Sequence, residues 1–182
     1  MTEPDISAIW LTAKTRMISE RRLRRSALLS HLALTWFSFC LICESIRLAL
    51  YPGGQISLLL SLALSILVFA LSLIFYGFRF EERAEHFRSC YLRLQKLNRN
   101  ESSNQQKLNE YHRILEFFPN HSDADYDAML VESWRHGITP TNSKGQISIS
   151  KTTIAKIYVK QFVIFVIMIA ALTIPVIAFV LQ

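Results

Sequence analysis

Residues 56–78 (ISLLLSLALSILVFALSLIFYGF) form a run of 23 residues without a charge. At 1.5 Å of rise per residue a helix of that length reaches about 34 Å, enough to cross a hydrocarbon layer of about 30 Å. From Arg79 the chain becomes highly charged, yet residues 79–97 hold no Pro or Gly. Ala84, Phe87, Tyr91, Leu94 and Asn98 recur there at helical spacing, so the reading is one long helix that leaves a membrane and continues to about Asn98.

Two further apolar blocks flank this one. Residues 26–43 form a shorter span, and residues 162–181 a third that tolerates Pro175 as membrane helices do. The 51% of hydrophobic residues is thus clumped into three blocks, which marks an integral membrane protein. The fold class expected is an all-α membrane protein: a transmembrane hairpin whose helices continue into a cytoplasmic helical hairpin, plus a C-terminal third span. About 80 residues remain outside the spans, enough for a few packed helices and too few for an ordinary enclosed active site.

The net charge of +6 lies beside the spans. Residues 1–25 hold 6 and residues 79–161 hold 13 of the 20 Lys and Arg, while the 44–55 loop holds only Arg47. Positive residues mark the cytoplasmic side, so the N-terminus and 79–161 are expected inside the inner membrane and Gln182 outside. Direct binding of nucleic acid is not expected from charge so placed. Cys40, Cys43 and Cys90 make no disulfide framework.

In chain order, residues 1–25 read as a basic amphipathic cytoplasmic helix with Ile6, Ile9, Trp10, Ala13, Met17 and Leu23 on one side. Two readings stand: it lies in the membrane interface, or it packs on the soluble helices. In the first span His31, Thr35, Ser38 and Ser45 fall within about 80° of one another on a helical wheel, a stripe suited to something other than lipid. The 51–54 tetrapeptide YPGG is a turn. Ser57, Ser61, Ser65 and Ser72 of the second span also share about 80°. Small hydroxylated residues allow close helix packing; on the other reading they line a water path between copies.

Residues 79–137 form the cytoplasmic helical region. After a polar turn at 98–106, residues 107–118 return as a helix with Leu108, Tyr111, Leu115 and Phe118 on one face, which Pro119 ends. Ser122 and Asp125 fit a capping box for a short helix running to about His136, with Gly137 as its stop. Residues 138–161 read as a flexible linker and an amphipathic lead-in to the third span.

No motif for phosphate cradling, dinucleotide binding or hydrolysis occurs, and neither enzymatic activity nor a cofactor nor a metal is expected. Cys40-x-x-Cys43 has redox spacing but lies inside a span. Glu44 and Arg47, one turn apart, are placed to pair at the outer surface or to form a pore-mouth charge ring. Asn120, His121, Asp123 and Asp125 are the candidate polar site on the cytoplasmic side, with turn and capping chemistry as the alternative.

Three stretches carry a resemblance. They are Trp10-x-Thr12-x3-Arg16 with the run from Glu20 to Arg25; Arg83-Ala84-Glu85-x-Phe87-Arg88-x-Cys90-Tyr91-x-x-Leu94; and Tyr111-x-x-Ile114-Leu115-Glu116-x-x-Pro119-Asn120-His121. Over roughly residues 8–135 the chain resembles the SLATT family, the SMODS and SLOG-associating two-transmembrane effectors, and most of all the branch found beside reverse transcriptases. The third span departs from that two-span pattern.

The resemblance implies a prokaryotic antiviral membrane effector. It would be triggered by a cytoplasmic reverse transcriptase or nucleotide-signalling enzyme, then form a homo-oligomer in the lipid bilayer and permeabilise it. The competing expectation is a non-pore anchor that recruits such an enzyme.

Overall fold

The computed structural model describes residues 7–51, 54–142 and 145–180. Expectations that fell on Asp5, Ile6, Pro52, Gly53, Lys144, Leu181 and Gln182 lie outside the described residues. Six helices and one small hairpin are seen there: α1 (Ser7–Leu50), α2 (Gln55–Phe78), α3 (Phe80–Arg99), α4 (Asn104–Glu116), α5 (Asp123–Arg135), β1 (Thr141–Asn142), β2 (Gly145–Gln146) and α6 (Lys151–Val180). Three helical stretches, Ser7–Leu50, Gln55–Arg99 and Lys151–Ile177, are long and apolar enough to cross a membrane. The chain is an all-α protein with membrane-spanning helices.

Two features of the long helices differ from the sequence reading. The amphipathic helix and the first span are a single helix of 44 residues. Hydropathy changes sharply at Arg25 and Ser26, but no Pro or Gly stands there to end the helix. The stretch from residue 56 to 98, by contrast, is interrupted at one residue. Arg79 takes the left-handed conformation (φ 49°, ψ 45°) and its N–H closes α2 on Tyr76 O. For a residue with a Cβ this costs on the order of 1 kcal/mol. No residue preference in the sequence announces it.

The chain divides into two compact units. The first comprises the residues up to Arg24 with Glu81–Val159, the second Arg25–Phe80 with the residues from Lys160 onward. α1 contributes to both.

In the first unit the N-terminal half of α1 is the central helix. Ile9 and Ala13 pack with Cys90, Leu94 and Leu97 of α3 and Ile114 of α4, flanked by Tyr91, Tyr111 and Phe118. On another side Leu11 and Ile18 meet Met129 and Leu130 of α5, with Tyr126, Ile147 and Ile149 alongside. Of the two readings left open for this helix, the structure shows packing on the soluble helices.

Local signals set the ends of α4 and α5. Ser103 and Gln106 make a reciprocal capping box at α4. The Ser122 side chain accepts from the Asp125 N–H at α5, and Gly137 follows that helix with φ +69°. The stretch read as a flexible linker is ordered in part: β1 and β2 pair antiparallel, and Ile147 donates its N–H to Pro140 O at 2.9 Å. Ile147 and Ile149 alternate with exposed Ser148 and Ser150, so the two isoleucines turn inward onto α1 and α5. The lead-in and the third span are one helix, α6, with Pro175 inside it.

Candidate functional site

The first unit is clasped by charge. The basic run of α1, read from sequence as a topology signal, is tied to its neighbours. Arg21 bonds both carboxylate oxygens of Glu132 at 2.6 and 2.9 Å. Arg22 grips Asp125 through Nε at 2.7 Å and Nη2 at 3.0 Å. Arg24 bridges Glu20 on its own helix and Glu85 of α3 at 2.6 Å. Thr12 and Tyr111 share a hydroxyl hydrogen bond of 2.9 Å, joining α1 to α4.

Asp125 is the centre of this clasp. It is 1% exposed and also accepts from Ser19 Oγ at 2.9 Å and Ser122 Oγ at 2.8 Å. Burial alone would push its carboxyl up, but the bonds from Ser122, Ser19 and Arg22 outweigh burial and hold it below the ordinary range. Glu132 behaves alike: burial raises it, Arg21 more than compensates, and the net shift is downward.

The remaining members of the expected polar site are placed around it. Asn120, Ser122 and Asp123 are exposed and His121 is half-buried, with Asn120 Oδ1 accepting from the His121 N–H at 3.1 Å. Burial first, then the Arg16 charge, lowers the His121 imidazole, while Asp125 and Asp123 oppose the shift. Among the described residues no group of three or more His, Cys, Asp or Glu is arranged to hold a metal. Asp125 is occupied by capping and ion pairing. The sequence reading missed Arg16, Ser19, Arg22 and Glu132 as parts of this site; Asp125 and Glu132, seven apart and on one helical face, were the signal available.

These shifts fix the acid response. A carboxylate lower in the folded than the unfolded state stabilises fully above its unfolded range and loses that contribution as pH falls through its folded value. A histidine held neutral by the fold begins to destabilise below its unfolded value of about 6.5. Thermal unfolding of the full chain in detergent, followed by fluorescence, should therefore decline first below about pH 6.5 and again below about pH 4. His121→Gln should remove the upper step, and Asp125→Asn should shrink the lower, leaving the share that Glu132 contributes. A flat profile from pH 7 to 5 contradicts the His121 assignment.

In the second unit the serine stripe of α2 lies on its least exposed side. Ser57 is buried, and Ser61, Leu64, Ser65, Val68 and Ser72 are half-buried, whereas Leu58, Leu59, Leu62, Ile66 and Leu73 are exposed. Ser65 Oγ and Ser72 Oγ each donate to a carbonyl of their own helix, Leu62 O and Phe69 O, both at 2.7 Å. On α1 the structure places His31 and Thr35 on the exposed side and Ser38 at half-burial.

Glu44 is 5% exposed and bonds Arg47 through both carboxylate oxygens at 2.6 and 2.9 Å. Glu44 borders a largely apolar cavity of about 420 Å³ between α1, α2 and α6, lined also by Trp36, Cys40, Cys43, Leu64 and Pro175. Trp36 Nε1 donates to Leu172 O of α6 at 3.2 Å, close to the ladder position that Pro175 leaves without a donor.

No curated protein and no solved structure matches the chain. A family model described as "SMODS and SLOG-associating 2TM effector domain family 5" matches residues 5–181. That match extends beyond the 8–135 stretch on which the resemblance was read. It takes in α6, so the third apolar helix falls within the family's domain instead of standing as an addition to it. The clasped helical unit, the apolar helices and a match over nearly the whole length agree, and the chain belongs to family 5 of the SMODS and SLOG-associating two-transmembrane effectors, membrane effectors of defence systems.

Proposed function

We propose that the chain permeabilises the inner membrane of a bacterial cell by self-association when a cytoplasmic signal releases its clasped unit. The N-terminus and residues 79–161 face the cytoplasm, and the far end of α6 lies near the outer surface, as the basic residues flanking the spans argue. The signal comes from a partner enzyme, a reverse transcriptase or a nucleotide-signalling enzyme, whose action ends the tight packing around α1. Opening the membrane then arrests the infected cell.

One observation carries this reading. α1 is buried at Ile9, Thr15, Arg16 and Ser19, runs without a break to Leu50, and is exposed through much of its apolar half at Leu28, Leu32, Phe39 and Ile42. A helix whose first half is a core element and whose second half is a span cannot be rearranged in one place alone. The ion pairs that hold the first half are partly solvated, so each is worth about 1 kcal/mol or less except around buried Asp125. Together they form a restraint that a binding partner can displace.

The test is leakage from liposomes loaded with a self-quenched dye. Purified full-length chain with the clasp loosened by Asp125→Ala, reconstituted at rising protein-to-lipid ratios, should release dye with a rate that climbs faster than linearly with density, and the unaltered chain should release less at each density. Retention of dye at every density, in vesicles shown by protease protection to hold inserted chain, would count against pore opening.

A further inference from the structure

The cavity of the second unit has an apolar wall and an opening on the lipid side. All the residues that line it belong to that unit. Its volume of about 420 Å³ falls in the range of small-molecule sites, roughly 300–1,000 Å³. Ala63 is the smallest side chain on the wall and leaves the room. Phe39, Leu60 and Leu67 of the same wall are exposed, so the space is reached from the side of the helices that meets the bilayer.

The polar groups at the wall are already satisfied. Arg47 donates to both carboxylate oxygens of Glu44, and Trp36 Nε1 donates to Leu172 O. Cys40 and Cys43 remain, and a thiol is a weak donor and a weak acceptor. A buried water needs two to four polar partners, and an apolar cavity without them stays dry. Left empty, the wall forfeits the contacts that close packing would give it. The fitting occupant is therefore apolar, and around membrane-spanning helices the apolar matter at hand is the lipid tail.

Extent and charge narrow the chemistry. Trp36 and Glu44 both line the cavity and stand eight residues apart on α1, about 12 Å at 1.5 Å per residue. Half of a hydrocarbon core is about 15 Å, so a tail entering from one leaflet matches that reach, with its ester end toward Glu44. At that end the Glu44–Arg47 pair carries no net charge, which suits a phospholipid whose headgroup stays outside the cavity. A free fatty acid of the same reach would set its carboxylate beside that of Glu44, where like charges repel.

We propose that this cavity binds one acyl tail of a bilayer phospholipid, packed against Trp36, Leu64 and Pro175 and so wedged between α1, α2 and α6. The site rests on the helices crossing a membrane and does not depend on whether the protein opens it.

Trp36 reports the occupant, because the other two tryptophans, Trp10 and Trp134, lie exposed in the first unit and can be replaced. The full-length protein with Trp10→Phe and Trp134→Phe is reconstituted in phosphatidylcholine vesicles with and without bromine at mid-tail. Quenching of Trp36 is read as the ratio of the two intensities. Ala63→Phe, which fills the cavity, should lose the larger part of that quenching. Leu59→Phe, at a position of α2 that is 65% exposed, should keep it. Should Ala63→Phe fail to insert, Ala63→Leu decides, with an intermediate loss expected. Mixed in at equal tail fraction, a brominated fatty acid at alkaline pH should quench less than the brominated phospholipid. Unchanged quenching in the inserted Ala63 variant overturns the proposal, since Trp36 then meets only bulk lipid. Equal or stronger quenching by the fatty acid overturns the choice of a phospholipid.

Discussion

Leucine at both Ser61 and Ser65 is expected to abolish growth arrest on induction while the amount of chain in the membrane stays constant. Both serines lie on the packed side of α2. Added methylenes at such a place force shifts worth about 1–3 kcal/mol per site. The alanine pair, Ser61→Ala with Ser65→Ala, is expected to keep full toxicity. Ser65 spends its hydroxyl on Leu62 O of its own helix, so small size, more than hydrogen bonding across helices, is what the position supplies. Growth curves with membrane-fraction immunoblots read both variants. Loss of toxicity in the alanine pair would instead favour hydroxyls lining a water path, and toxicity that survives leucine would remove this face from the mechanism.

The second large effect concerns α1. Proline at Leu28 removes the N–H that bonds Arg24 O and sets its ring against that carbonyl, at a cost of about 3 kcal/mol or more in a helix interior. Leu28 is 60% exposed, so little packing is lost with its side chain, and Leu28→Ala serves as the control. Leu28→Pro should insert and keep its clasped unit, read as protection of that unit from trypsin, yet fail to arrest growth. Leu28→Ala should arrest growth as the unaltered chain does. Full toxicity in the proline variant would show that α1 need not be continuous.

Much of this arrangement could be read from residue order. The uncharged runs gave the spans, Pro119 marked the end of α4, and Ser122 and Gly137 marked the limits of α5 through capping chemistry. The central place of α1 could not be read so directly. Thr15, Arg16 and Ser19 are buried alongside Ile9 and Leu23, so polar residues interrupt the apolar face and blur its period. The interruption at Arg79 was hidden because arginine carries no preference for the left-handed region.

The candidate site was legible in half. Asn120, His121, Asp123 and Asp125 stood out as a polar cluster, and the structure adds the α1 partners. Arg22 and Ser19 lie more than 100 residues from Asp125 in the chain, and a contact that distant leaves no periodic trace. Arg16 stood out only within a motif, since nothing in a sequence distinguishes a buried arginine from a solvated one. The alternation of Ile147 and Ile149 with serines was available, and a stretch rich in Ser, Thr and Gly masked it.

Membrane potential in cells tests the central claim most directly. Bacteria expressing the full chain from an inducible promoter would carry a potential-sensitive dye together with an impermeant DNA stain. Depolarisation soon after induction together with an activating partner enzyme, before the stain enters and absent with Leu28→Pro, is the predicted result. An undisturbed potential in cells whose membranes contain the chain at full level, with every candidate partner enzyme co-expressed, would contradict the account and leave a membrane anchor in its place.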